Sequence, residues 1–360
     1  MFLDNPAFEP IRELMLDPSV TEIMINGPDQ VYVERNGVMA RNSLTFPDPG
    51  ELNRLIEVML RRSGREVSSA TPYVDFRLAD GSRGNVVVPP IAVNGPAVTI
   101  RKFTKQLTQV SHLIEAGTLS ERMAQFLGAA VAARANILFS GATGTGKTTT
   151  LAIFSRYIPE SERIITIEDT AELTLQQEHV VQLECRHANL EGKGEVTLAD
   201  LFRNCLRMRP TRILVGEVRG AEAIDMVQAI SSGHEGCLAV LHASSPADAV
   251  RRLEMMCLSR GLAMPLWAIR HLIASTIDLI VQHEFVTDGT RKITHMAELG
   301  GLDDERIVLR DLFEYRRLET DDAGREHGRW VCGGTEPALL AKCRKMNVPL
   351  SAEVYAADGV

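Results

Sequence analysis

The sequence predicts an α/β protein: a larger domain built on a parallel β-sheet, preceded by a smaller α+β domain. Three observations carry this. Over residues 119–318 short apolar runs alternate with helix-patterned segments, as buried strands covered by helices on both faces require. Before residue 105, β-rich runs are broken by Asn-Gly and Asp-Gly turns. The chain has 360 residues, 45% of them apolar, enough for two cores rather than one.

In chain order, "EIMINGPDQVYVERNGVM" reads as hairpins. "PGELNRLIEVMLRRSG" sets Leu52, Leu55, Ile56, Met59 and Leu60 on one helical face, with Gly64 as its stop. "YVDFRLADGSRGNVVVPP" turns at Asp80-Gly81, and "AVTIRKF" completes a small α+β domain over residues 1–105. Residues 106–118 show no strand pattern and read as a linker. The larger domain, 119–318, then gives a strand at 136–140, a helix from 147, strands at 163–168 and 212–216, a helix at 221–231 and a strand at 237–242. Residues 319–360, polar and glycine-rich at "ETDDAGREHGRWVCGG", read as a weakly packed C-terminal tail.

A formal net charge of −8 argues against a nucleic-acid coat protein, so no stable nucleic-acid partner is expected. The six cysteines form no C-x-x-C pair and read as reduced structural thiols of a cytosolic protein. "MFLDNPAFEP" lacks the basic-then-apolar pattern of a secretory signal, and no uncharged apolar run approaches the roughly 20 residues of a membrane span. Any membrane role is expected to go through a partner.

"GATGTGKTTT" matches G-x-x-x-x-G-K-[ST] at Gly141, Gly146, Lys147 and Thr148, between a predicted strand and a predicted helix. Ala142, Thr143, Gly144, Thr145 and Thr149 complete the loop. Its glycines let successive N–H groups curl around phosphates, the helix start adds partial positive charge, Lys147 reaches the terminal phosphates, and the Thr148 hydroxyl ligates Mg²⁺. A nucleoside triphosphate is the expected ligand.

Ligands of open α/β sheets sit beyond the carboxyl ends of the strands. There "RIITIEDTAEL" delivers Glu168 and Asp169, "RILVGEVRG" delivers Glu217, and "CLAVLHASS" delivers His242. Glu217 is placed to hold Mg²⁺ directly or through its waters; Glu168 is placed to orient and deprotonate the attacking water. The competing readings are solvated turn acids and, for His242, a satisfied structural histidine. His234, in "SSGHEG", is a second imidazole candidate.

Residues 61–105 carry eight Lys or Arg (Arg61, Arg62, Arg65, Arg77, Arg83, Arg101, Lys102, Lys105) against three acids, a local preference for anions. Arg203, Arg207, Arg209, Arg212 and Arg219 surround Glu217 in sequence. With no aromatic residues between them they suit subunit-interface ion pairs or positioning of the phosphate site better than DNA; Arg219 is the expected site neighbour and the others are expected to be structural. The helix "AVRRLEMMCLSRG" reads as an interaction surface, since Met adapts to irregular partners, or as core packing, which is the expectation.

"GATGTGKTTT", "IEDTAEL", "RNCLRMRPTRILVGEVRG" and "GHEGCLAVLHASSPADAVRRLEMM", in this order, resemble the Walker A, Asp, Walker B and His boxes of the type II/type IV secretion and pilus-assembly traffic ATPases. The likeness spans roughly residues 10–315. Through "LRMRP", "GEVRG" and "RLEMM" it is similar to the tight-adherence (Flp) pilus branch, the CpaF-like ATPases. This resemblance implies a RecA-like P-loop NTPase motor domain preceded by a PAS-like N-terminal domain, a homohexameric ring, and hydrolysis of ATP with Mg²⁺. It also implies a cytoplasmic location, peripheral at the inner membrane, and a polytopic inner-membrane platform protein of a pilus or secretion machine as partner. Arg83 and Arg101 match N-terminal-domain arginines that reach the nucleotide in this family, and Arg77 is a third candidate; the competing reading is a solvated basic face. The tetracysteine zinc module of many relatives is missing, so Mg²⁺ alone is expected. The long N-terminal extension of many pilus-branch members is also missing, which leaves a conjugative or type IV secretion channel ATPase open, alongside an ATP-gated scaffold and a DNA translocase.

Overall fold

In the computed structural model the chain divides into two units, Met1–Gln106 and Leu107–Val360. Residues 2–358 are described except 36, 64, 104–108, 187, 189–191, 262 and 322–323. The expected helix stop at Gly64, Lys105 and part of the expected linker therefore lie outside the described residues.

The first unit is an antiparallel sheet of β1 (Val20–Asn26), β2 (Val31–Arg35), β3 (Val38–Asn42), β4 (Tyr73–Arg77), β5 (Arg83–Val87) and β6 (Ala97–Arg101), in the order β3-β2-β1-β6-β5-β4. Helices α1 (Arg12–Leu16) and α2 (Pro49–Ser63) belong to the same core. The five apolar residues read onto one face of α2 are all buried there, against Ile23, Ile25, Val98 and Ile100. The alternation along β1 and β6 that sends those four inward also aligns a row of charges. Arg77 pairs with Arg83, Arg83 with Arg101, Arg101 with Glu22 and Glu22 with Glu34. Residues directly opposite in an antiparallel ladder share a face, so three arginines stand side by side and two glutamates continue the row.

The second unit starts with α3 (Val110–Glu115) and α4 (Glu121–Ala132), the latter capped by the Ser120 hydroxyl. Its sheet comprises β7 (Ile137–Gly141), β8 (Ile164–Glu168), β9 (Val180–Glu184), β10 (Arg212–Val218), β11 (Leu238–Leu241), β12 (Leu279–Phe285), β13 (Arg291–Asp303), β14 (Arg306–Thr320) and β15 (Glu326–Cys332), in the order β15-β14-β13-β12-β7-β11-β10-β8-β9. From β12 to β9 every pairing is parallel. The expected parallel sheet is thus present, and β13, β14 and β15 extend it as an antiparallel meander.

Strands β7, β8 and β11 are buried along their whole length because helices cover both faces. One face packs on α4, α5 (Lys147–Phe154), α10 (Leu340–Lys345) and α11 (Ala352–Tyr355). The other packs on α6 (Leu198–Cys205), α7 (Glu222–Ser231), α8 (Pro246–Ser259) and α9 (Leu266–Thr276). Cys205, Cys237 and Cys257 sit in this second core, where burial pushes each thiol up to about 12.

The segment after residue 318 is not a weakly packed tail. Its polar stretch forms the end of β14 and β15, with Trp330 donating to the Ile293 carbonyl. Leu339, Cys343 and Val354 then enter the core beside α4. Edge strands alternate exposed and covered residues, which is why the sequence looks polar there.

At the amino ends of the parallel strands, Arg212 is 1% exposed and binds Glu162 at 2.6 Å, with Arg134 3.3 Å from the same carboxylate. Arg212 therefore ties the chain before β8 to the start of β10, the structural role expected of it. A buried guanidinium must find its counter-ion within the fold.

Candidate nucleotide site

Parallel pairing puts the carboxyl ends of β7, β8, β10 and β11 on one edge of the sheet. The loop after β7 leads into α5, and Gly141, Gly144 and Gly146 take φ values of +148°, +79° and +99°. Side chains resist that region, and at Gly141 a Cβ would also collide with the carbonyl of His283. The loop is closed by Thr145 Oγ1 and Lys147 Nζ, which donate to the Ala142 carbonyl at 2.8 and 2.7 Å. Lys147 is buried, Thr148 and Thr149 are half-buried at the start of α5, and Ala142 and Thr143 are exposed.

Two strands away, β10 carries Glu217. Its Oε1 lies 2.6 Å from Arg219 Nε and 3.2 Å from His242 Nε2, and the other ring nitrogen of His242 lies 3.5 Å from Lys147 Nζ. Burial works against the charged form of Glu217, but Arg219, His242 and Lys147 together hold its carboxyl below the ordinary value. His242 is pushed down, first by burial and then by Lys147, so its imidazole is neutral at neutral pH. A neutral ring that accepts at Nδ1 from Lys147 donates at Nε2 to Glu217. Lysine, histidine and glutamate, from three separate segments, are joined in one line.

Arg219 is held from both ends. The buried carboxylate of Glu222 accepts from the backbone N–H of Arg219 at 2.6 Å and of Gly220 at 2.8 Å, and the guanidinium reaches Asp169 at 3.4 Å. A cleft of about 590 Å³ opens beside the group, lined by Thr143, Glu217, Arg219, His242, Arg252 and Met255. Met255 is 69% exposed on α8, so the methionine helix faces this cleft as well as the core.

Glu168 ends β8 on the same edge, yet it is not bonded to the Lys147–His242–Glu217 line. It is 2% exposed; its Oε2 accepts from the N–H groups of Glu172 and Leu173 at 2.6 and 2.9 Å, and the Thr166 hydroxyl stands close enough to favour its charged form. Burial raises its pKa despite those two donors and the Thr166 hydroxyl. A buried carboxylate with one oxygen fixed by backbone donors and a raised pKa suits a proton acceptor.

His234 does not join this edge within the chain. It precedes β11, whereas His242 follows it, so the strand carries the two histidines to opposite ends of the sheet. His234 instead faces the Ala229 carbonyl at the end of α7. Arg203 pairs with Asp200 on α6 at 2.6 Å. Arg77, Arg83 and Arg101 form the row described in the first unit.

Two site residues escaped the sequence reading. Glu222 looked like an ordinary first-turn acid of α7. His283, at the end of "DLIVQHEF", is buried beneath the phosphate loop; its Nε2 lies 3.0 Å from Thr150 Oγ1, and burial pushes it down to about 4. The rule that found His242, a polar residue ending an apolar run, applies equally to His283.

A family described as "Type II/IV secretion system protein" matches residues 4–311. A Mycobacterium tuberculosis (H37Rv) chain provisionally named for conjugal transfer is 32% identical, over 88% of this chain and 91% of that one. The type IV secretion system protein VirB11 of Brucella suis is 33% identical, over 82% of this chain and 89% of that one. The solved structure of the Legionella pneumophila ATPase DotB aligns with a TM-score of 0.56 at 24% identity, covering 81% of this chain and 80% of that one, a likeness of fold.

Proposed function

Because the chain belongs to the type II/IV secretion system protein family and is an ATP hydrolase, we propose that it is a Mg²⁺-dependent motor working as a homohexameric ring at the cytoplasmic face of the inner membrane. In this reading it drives pilus assembly or secretion through a polytopic platform protein. Among the described residues no helix is long and apolar enough to cross a membrane. The observation that carries the motor reading is the Lys147–His242–Glu217 line. It joins the phosphate loop to the strand two places away, so a change at the phosphates is felt at β10 and β11 together.

Lys147 gives up the Ala142 carbonyl to meet the β- and γ-phosphates, and the loop N–H groups hold the phosphate oxygens. The Thr148 hydroxyl and the Glu217 carboxylate, kept ionised by its neighbours, are hard oxygen donors that fit Mg²⁺, which takes few protein ligands. Held by these two residues, Mg²⁺ would supply neutralisation of phosphate charge. Glu168, whose raised pKa favours accepting a proton, orients and deprotonates the attacking water. His242 and Arg219 report the state of the γ-phosphate, and the family resemblance assigns Arg83 and Arg101, with Arg77, of the same or a neighbouring subunit, to the charge that develops on the transferred group.

Lys147→Ala is the direct test. It is expected to remain folded and to lose ATP hydrolysis by about a hundredfold or more, measured as phosphate release; hydrolysis at the parental rate defeats the assignment. A second client, a conjugative or type IV secretion channel, is favoured by the names of the relatives, and tight-adherence pilus assembly by the sequence boxes. Co-purification of the chain with prepilin-assembly components or with channel components separates the two.

A further inference from the structure

We propose that Arg291, on the hairpin joining β12 to β13, is a positioning residue that holds the phosphate loop in its binding shape. The inference rests on the nucleotide-site reading and extends it to residues outside the sequence boxes.

A loop that presents its N–H groups inward to phosphate must turn its carbonyls outward, where water or a protein donor can meet them, and only a protein donor holds the peptide in place. Gly144 is the critical position. At φ +79° and without a side chain, its following peptide can rotate and aim a carbonyl oxygen at the phosphates, which repels them. Arg291 Nε donates to that carbonyl at 2.8 Å. Its aliphatic stem passes close to Gly146, with Cδ 3.8 Å from where a Cβ would stand. Lys147 must leave the Ala142 carbonyl to reach nucleotide, whereas Arg291 has no such duty and can hold Gly144 throughout the cycle.

The brace is itself fixed. Arg291 and Phe285 are paired across the hairpin, with the guanidinium carbon 5.6 Å from the ring centroid. The Phe285 ring comes within 3.6 Å of a would-be Cβ on Gly144. The hairpin turn is tied to β15, because Thr287 N–H donates to Glu326 Oε2 at 3.1 Å and Glu326 N–H to Asp288 Oδ2 at 3.0 Å. The meander that widens the sheet thereby anchors the arginine on the loop.

The test uses the full chain with ATP as substrate and ADP as the binding probe. Arg291→Ala is expected to raise the KM for ATP and the Kd for ADP by roughly tenfold, the loss of one charge-assisted hydrogen bond, with kcat within about threefold of the parent. Arg291→Lys, which can still donate to Gly144, is expected to recover most of the affinity. A KM for Arg291→Ala within twofold of the parent overturns the proposal. So does an equal fall in kcat and melting temperature at unchanged KM, which marks a merely structural residue. Lys147→Ala separates the two levels. If it hydrolyses ATP normally the nucleotide site itself is misassigned, whereas an inactive Lys147→Ala beside a normal Arg291→Ala removes only the brace.

Discussion

His242 Nε2 stands 3.2 Å from Glu217 Oε1, joining residues that end two adjacent parallel strands. The contact has a defined polarity. Burial and Lys147 keep the imidazole neutral, and Arg219 keeps the carboxylate ionised, so the histidine donates and the glutamate accepts. If Lys147 turns to a phosphate, as proposed, His242 would lose the partner on its other nitrogen. The phosphate loop and the carboxylate strand are coupled by a single ring.

Glu168→Gln keeps the size of the side chain and removes the base. We expect kcat to fall by about 10²–10³ with ADP affinity unchanged. Because burial raises the Glu168 pKa, the parent is expected to lose activity as pH falls at a higher pH than an ordinary carboxylate would dictate. Turnover of the glutamine variant within threefold of the parent refutes the role.

His283 gives a stability prediction with a definite sign. Its folded-state value of about 4 lies below the ordinary 6.5, so the folded protein favours the neutral ring. The corresponding stabilisation is present above pH 6.5 and is lost as pH falls toward 4. It amounts to about 3 kcal/mol for this group. Urea unfolding at pH 7.5 and at pH 4.5 should show the parent losing about 2–3 kcal/mol more than His283→Gln between the two conditions. Equal losses in both proteins contradict the assignment.

Arg83 and Arg101 are neighbours on paired strands of the first unit, so the melting of each variant is measured beside its turnover. If they meet the transferred phosphoryl group, Arg83→Ala and Arg101→Ala each lower turnover by about 10³ without shifting the melting of the chain. Turnover within threefold for both variants leaves the arginine row a solvated basic face.

Much of this molecule is legible from sequence because the decisive signals are local. Glycine spacing in "GATGTGKTTT" sets the loop backbone, apolar runs mark β7, β8, β10 and β11, and the residues following those runs fall on the ligand edge whatever the order of the strands. The tertiary structure decided which of those residues touch. His242 bonds to Lys147 and Glu217 because β11 lies between β7 and β10, an order that no local pattern encodes. The same holds for Glu222 beneath Arg219, for His283 and Arg291 against the loop, and for the burial of Arg212 on Glu162. Backbone preference and hydrophobic period act over a few residues, whereas these contacts join positions tens to more than a hundred residues apart, or depend on the turn that follows β10. Their partners are fixed only when the sheet assembles.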